Sequence, residues 1–142
     1  MQVRKWRFGL VIALMLALLP SLSAFGQDAY KIKINSVPKD PPGEAMASDQ
    51  ITGIVTGGDT NQYTQFKVVI YARGGEVWWV QPTVASPLTD VASDGTWNSD
   101  THGGEDFAAL LVKPTFQPDA KLDAIPKVKG DIIAVTKWKS QH

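Results

Sequence analysis

The chain has 142 residues, with 14 basic and 14 acidic side chains, 44% hydrophobic residues and no cysteine. This length suits one domain with a hydrophobic core, and the lack of cysteine excludes disulfide bonds and a lipid-modified cysteine anchor. The charge balance predicts no basic patch of the kind that nucleic acids or anionic membranes bind, so neither is an expected partner.

The first 26 residues have the three parts of a secretory signal peptide. Arg4, Lys5 and Arg7 form the basic start, residues 8–19 the apolar stretch, and residues 24–26 a small-x-small cleavage site. The apolar stretch is shorter than the roughly 20 residues that span a bilayer, so we expect cleavage rather than a stable membrane anchor. The mature chain, residues 27–142, then has 11 basic and 14 acidic side chains, a net charge of −3. We predict a secreted or periplasmic bacterial protein.

Short runs rich in β-branched and aromatic residues follow, separated by Gly, Pro, Asn and Asp, which is typical of strands and turns. Residues 36–50 contain three prolines and predict a long loop that crosses between sheets, whereas Gly74-Gly75 predicts a tight hairpin. A second irregular link covers residues 114–129. The predicted strands are residues 30–35, 51–56, 66–73, 77–81, 95–97 with flanks, 107–113 and 131–138. About seven strands in one domain predict an all-β, immunoglobulin-like antiparallel β-sandwich.

The run GGEVWWVQPTV, residues 74–84, places two tryptophans side by side. Neighbouring side chains of a strand point to opposite faces, so Trp78 and Trp79 cannot both enter one core. If the hairpin closes, Tyr71 lies within cross-strand reach of this pair. The outer tryptophan then has three interpretations: it is covered by residues 36–50 or 114–129, it stacks on a sugar ring, or it anchors a protein partner. Sugar hydroxyls would be bound by nearby polar groups such as Gln81, Arg73, Glu76 and Asn98.

The order of the motifs ITGIVTGG, FKVVIYARGGEVWWVQP, DGTW, THGG and FAALLV resembles a small exported bacterial β-sandwich module that accompanies carbohydrate-active enzymes. The resemblance covers roughly residues 51–135. It implies an immunoglobulin-like fold, a non-catalytic role and a carbohydrate context. This chain has no attached catalytic domain, so it would act alone or through a partner.

Catalysis and metal binding are the weaker interpretations. The sequence has two histidines, His102 and His142, no cysteine, and no G-x-S-x-G nucleophile motif. A cluster of oxygen-bearing side chains between residues 94 and 106 could act as paired carboxylates or hold a structural calcium, although its spacing does not match an EF-hand. Its members are Asp94, Asn98, Asp100, Glu105 and Asp106. We therefore predict no enzyme activity and no cofactor.

The functional prediction is a non-catalytic exported binding module, with a polysaccharide as ligand and Trp78, Trp79, Tyr71 and Gln81 as the ligand-binding residues. The alternative is a structural or adaptor domain of the cell envelope that binds another protein through the same aromatic face or an open strand edge.

Overall fold

The computed structural model describes residues 29–39 and 48–141, so the predicted signal peptide lies outside the described residues. A 3₁₀ helix covers Thr60–Gln65. No helix in the described ranges is long and apolar enough to cross a membrane. Within these ranges the strands are β1 Lys31–Ser36, β2 Ser48–Thr56, β3 Lys67–Gly74, β4 Val77–Gln81, β5 Thr89–Asp90, β6 Thr96–His102, β7 Asp106–Val112, β8 Lys121–Leu122 and β9 Ile132–Lys139.

The strands form two antiparallel sheets in a sandwich-like arrangement. The smaller sheet has the order β1-β2-β6, and the larger has the order β8-β4-β3-β7-β9, with β5 paired to β3. The predicted fold class, an all-β antiparallel sandwich of about seven strands, is confirmed. The seven longer strands correspond to the seven predicted runs, and the two-residue strands β5 and β8 are additional.

The main core lies between the sheets and follows from the alternation of each strand. In β1, Ile32 and Ile34 are buried, while the lysines between them are exposed. From the smaller sheet, Trp97 of β6 also enters this core, as its position after the Asp94-Gly95 turn predicts. Its ring lies over Gly53 of β2, where a Cβ would collide with the ring and with a backbone oxygen. The glycine therefore makes room for the largest side chain of this core.

A second core covers the other face of the larger sheet. Residues 113–130 cross this face and bring Ile125, Leu122 and Phe116 against side chains of β3, β4 and β7. The covered strands are apolar on both faces, because one face packs on the smaller sheet and the other under this segment. Residues 68–72 of β3 are accordingly buried without alternation.

The prediction that residues 36–50 cross between sheets is wrong. β1 and β2 are antiparallel neighbours in one sheet, with Ile32 opposite Val55. β2 also begins at Ser48, before the predicted start at Ile51, because residues 48–50 pair with the end of β6 through their backbones. Residues 48–50 are polar, and Asp49 and Gln50 are exposed, so no hydrophobic signal in the sequence marks this extension.

Candidate functional site

The β3–β4 hairpin holds the two tryptophans, and it closes as predicted. Gly74 pairs with Val77, which leaves Gly75 and Glu76 as the two-residue turn. Gly75 has a φ of 64°, in the left-handed region that glycine adopts without steric cost. The turn thereby fixes the register of β4 and the face to which each tryptophan points.

The register places the two indoles on opposite faces of the larger sheet. Trp78 lies opposite Arg73 and belongs to the core under residues 113–130, with 8% of its surface exposed. Trp79 lies opposite Ala72, whose side chain points toward the smaller sheet, and remains 48% exposed. The loop-covered interpretation therefore applies to Trp78, and Trp79 is the tryptophan that meets solvent.

Trp79 is exposed because the two sheets differ in width. The smaller sheet ends at β6, and the C-terminal end of β6 meets β4 at Gln81, the next inward-facing residue after Trp79. The chain then turns at Gly104, which packs against Ala72. The N–H of Glu105 donates a hydrogen bond to the carbonyl oxygen of Arg73 (2.9 Å). The indole thus points toward the inter-sheet side but lies outside the main core cluster.

Small and basic groups border the exposed indole. Gly74 lies beside the pyrrole edge, with the site of a Cβ 4.0 Å from ring atoms of Trp79. On the other side, β8 places Lys121 opposite Trp79, with its Nζ 6.0 Å from the ring centroid. A lysine at this distance and exposure makes a cation–π contact of only about 0.5–1 kcal/mol, so a ligand can displace it at small cost.

The four predicted ligand-binding residues are divided between two faces. Tyr71 shares the covered face with Trp78, is 1% exposed and donates its hydroxyl to the carbonyl oxygen of Asp119 (2.9 Å). Burial, with the nearby Asp119 carboxylate, raises the pKa of Tyr71 to about 12. Gln81 is on the same side as Trp79 but is only 5% exposed. Of the four, Trp79 alone presents a large surface to solvent.

Arg73, predicted to bind hydroxyls, is held in an ion-pair network. Its Nε and Nη2 donate to Asp106 Oδ2 at 2.9 and 2.6 Å, and its Nη1 lies 3.1 Å from Glu105 Oε2. The hydrogen bond to Asp106 raises the pKa of Arg73. Burial acts to raise the pKa of Asp106, but the bonds from Arg73 and from Ser140 N–H outweigh it and lower that pKa. The network ties the hairpin to the end of the chain.

The acidic residues predicted as a carboxylate pair or calcium site are spread along β6 and its two ends. Asp94 accepts hydrogen bonds from Thr96 N–H (2.9 Å) and its hydroxyl (2.6 Å), and these bonds lower its pKa. Asp106, at the other end, binds Arg73. Across residues 29–39 and 48–141, no three His, Asp or Glu side chains come together as metal ligands would.

His102 is linked to this site, although the sequence alone suggests it only for the weaker interpretations, catalysis and metal binding. Its backbone N–H donates to Gln81 Oε1 (2.9 Å), and its ring Nδ1 lies 3.0 Å from the same oxygen. Gln81 Nε2 in turn donates to the carbonyl oxygen of Trp79 (3.3 Å). Sequence separation hides this link, since the histidine and the glutamine are 21 positions apart in the chain.

Comparison with known proteins finds no family model, no curated protein and no solved structure that matches this chain. The arguments that follow therefore rest on the residues and their geometry.

Proposed function

We propose that this protein is a non-catalytic, exported binding module that holds a carbohydrate chain against Trp79. The observation that carries the proposal is the exposure of this indole, 48%, on a hairpin whose other tryptophan is buried. Trp79 is flanked by small residues of β3 and by a displaceable lysine of β8. A flat ring with one open side is the surface on which the apolar face of a pyranose stacks.

The exposed Trp79 contributes less to the stability of the fold than a fully buried tryptophan would. A tryptophan buries up to about 200 Å² when covered, and each Å² of apolar surface contributes roughly 25 cal/mol. Leaving half of Trp79 in water forgoes about 2 kcal/mol of stabilisation. A ligand that covers the ring would recover part of this free energy as binding affinity.

The polar groups of the region support binding rather than catalysis. Arg73 and Asp106 neutralise each other in the network at the end of the hairpin, and Asp94 closes a turn. Glycoside hydrolysis needs two carboxyl groups facing each other across the bond, at about 5–9.5 Å. Here Asp94 is engaged in a turn, and Glu105 and Asp106 both pair with Arg73. The resemblance to modules beside carbohydrate-active enzymes points to the same class of ligand.

The test is calorimetric titration of residues 27–142 with soluble polysaccharides, comparing the parent with Trp79→Ala and Trp79→Phe. We expect Trp79→Ala to abolish binding, and Trp79→Phe to retain part of it because a smaller ring still stacks. Val84→Ser is the matched control, since Val84 is another exposed apolar side chain, at the far end of the same segment. If Trp79→Ala binds like the parent, or if no polysaccharide binds, the proposal fails.

The adaptor function is a second candidate, supported by a different surface. β1 and β9 are the end strands of the two sheets, and a groove between them is lined by residues 29–33, Val128 and residues 133–136. Val128 is 58% exposed. Of the 11 basic residues in the described ranges, six lie on or beside these strands and this groove: Lys31, Lys33, Lys127, Lys129, Lys137 and Lys139. The lysines come from three segments, so no basic run appears in the sequence.

The occupant that fits this edge is an extended, acidic segment of a cell-envelope protein, which would pair its backbone with an end strand. Binding of a peptide with alternating Asp and Val, measured by fluorescence anisotropy, tests it. We expect the affinity to fall when Lys31 and Lys33 are both changed to Glu, and a peptide with Lys in place of Asp should not bind. Equal binding of the Lys peptide, or of an unrelated polyanion such as duplex DNA, would contradict a specific adaptor edge.

A further inference from the structure

We infer that His102 accepts a hydrogen bond from a ligand hydroxyl through its Nε2 atom, beside the ring of Trp79, and that Gln81 is the positioning residue that makes this possible. The inference rests on the proposed function, because it names the polar partner of the same site.

The first step is the orientation of the Gln81 amide, which is fixed by two backbone partners. The N–H of His102 can only donate, so the atom 2.9 Å from it is the amide oxygen. The carbonyl oxygen of Trp79 can only accept, so the atom 3.3 Å from it is the amide nitrogen. Exchanging the two amide atoms would oppose a donor to a donor and an acceptor to an acceptor. Burial of Gln81 makes such a mismatch costly, because water cannot satisfy the groups that would lose their hydrogen bonds.

The second step is the tautomer of the imidazole. Nδ1 of His102 lies 3.0 Å from Gln81 Oε1, which has lone pairs and no hydrogen. Nδ1 must therefore carry the proton and donate to this oxygen. A neutral imidazole has one N–H, so Nε2 then holds a lone pair and acts as an acceptor. Gln81 thus selects the tautomer, as carboxylates or carbonyl groups do for many functional histidines.

The third step is the location of the imidazole. His102 is half-buried at the end of β6, and within the described ranges its Nε2 makes no hydrogen bond to the protein. The chain that leaves His102 reaches Gly104, which packs against Ala72, the cross-strand neighbour of Trp79. The imidazole and the backbone of Trp79 are therefore joined through one buried amide, that of Gln81, whose side chain lies on the same face of β4 as the exposed indole.

The chemistry of a sugar fits this pair. A pyranose has an apolar face of C–H groups and a rim of hydroxyls, so a ring stacked on an indole directs hydroxyls sideways. The lone pair that we assign to His102 Nε2 would accept one of them. Lys121, whose Nζ lies 6.0 Å from the centroid of the Trp79 ring, can only donate. An acceptor linked to Trp79 through Gln81 and a donor on β8 would together favour a ligand in one orientation.

The tautomer is tested without any ligand, by ¹⁵N NMR of the imidazole at a pH where the ring is neutral. His142→Asn leaves His102 as the single histidine of the chain. We expect the Nδ1–H tautomer, which a free imidazole does not favour, and we expect Gln81→Leu to shift the population toward Nε2–H. An Nε2–H tautomer in the His142→Asn protein would overturn the inference whether or not Gln81→Leu folds.

Binding tests the second half of the inference. With the polysaccharide that the parent binds best, we expect His102→Ala to weaken binding about tenfold, close to 1.4 kcal/mol. His102→Gln should retain part of the affinity, since a side-chain amide oxygen can accept the same hydrogen bond. If Trp79→Ala abolishes binding but His102→Ala binds like the parent, this inference fails and the proposed function stands. If Trp79→Ala leaves binding intact, the proposed function itself fails.

Discussion

Replacing each tryptophan of the hairpin with alanine tests which face each indole occupies. Trp78 is 8% exposed, so nearly all of its roughly 200 Å² is removed from water, and at about 25 cal/mol per Å² its loss costs roughly 4–5 kcal/mol. This agrees with the ~3–5 kcal/mol typical of truncating a buried tryptophan. Trp79 is 48% exposed, so the same calculation gives about 2.6 kcal/mol as an upper value.

The assay is urea unfolding of residues 27–142, followed by far-UV circular dichroism, because removing an indole changes the fluorescence signal itself. Free energies are extrapolated linearly, and the two variants are compared at a shared slope. We expect Trp78→Ala to be less stable than Trp79→Ala by at least 2 kcal/mol. Equal losses, or a larger loss for Trp79→Ala, would refute the strand register that buries Trp78 and leaves Trp79 exposed.

Three further predictions concern the cores and the ion pairs. Gly53→Ala should destabilise the fold by about 3 kcal/mol in urea unfolding, since a Cβ there collides with the ring of Trp97. Folding raises the pKa of Tyr71 from 10.0 to about 12, so the unfolded chain loses the phenol proton at a lower pH than the folded protein does. The free energy of unfolding should therefore fall between pH 10 and 12, by up to roughly 3 kcal/mol, and Tyr71→Phe should remove that fall. Asp106→Asn should cost roughly 2 kcal/mol at neutral pH and flatten the acid limb of the stability curve. The pKa of Asp106 is lowered in the folded state, so its carboxylate stabilises the fold above the unfolded pKa, and this stabilisation is lost as the pH falls through the folded pKa.

Each of these has a control. Gly74→Ala should be nearly neutral, because a Cβ there lies 4.0 Å from its nearest neighbours, and a loss equal to that of Gly53→Ala would argue against the packing around Trp97. An alkaline slope that persists in Tyr71→Phe would assign it to other groups. Asp100→Asn is the control for the acid limb, and an identical flattening in both variants would remove the special role of Asp106.

The strands could be predicted from the sequence, because their alternation and turn residues act locally. Ile32 and Ile34 point inward between exposed lysines, and Gly75 allows the hairpin turn. Sheet membership could not be predicted in the same way. The proline-rich segment 36–50 resembles a crossover, whereas the backbone pairing of β1 and β2 depends on contacts between residues far apart in sequence.

The site was predicted in part. The sequence established that Trp78 and Trp79 face opposite sides, but exposure depends on what lies above each side. Trp78 is covered because residues 113–130 cross its face, while Trp79 points toward a smaller sheet that ends before reaching it. The role that we propose for His102 was missed for a similar reason. Its partner, Gln81, is distant in sequence, and no local sequence pattern indicates that the Gln81 amide oxygen selects the tautomer of His102.

The sheet order also determines when the chain can become stable as it is synthesised. Apart from the β1–β2 and β3–β4 pairs, the main ladders join segments that are far apart in sequence. β2 can pair with β6, and β3 with β7, only after those later strands have been synthesised. Sandwiches dominated by such non-local pairing fold in milliseconds to seconds, far more slowly than helical bundles. Until residues 107–125 are present, β3 has neither its central neighbour nor the cover over its outer face. The first two thirds of the domain would therefore emerge with exposed apolar strands that need protection from aggregation. Commitment to the folded state would come late, once β7 has paired with β3.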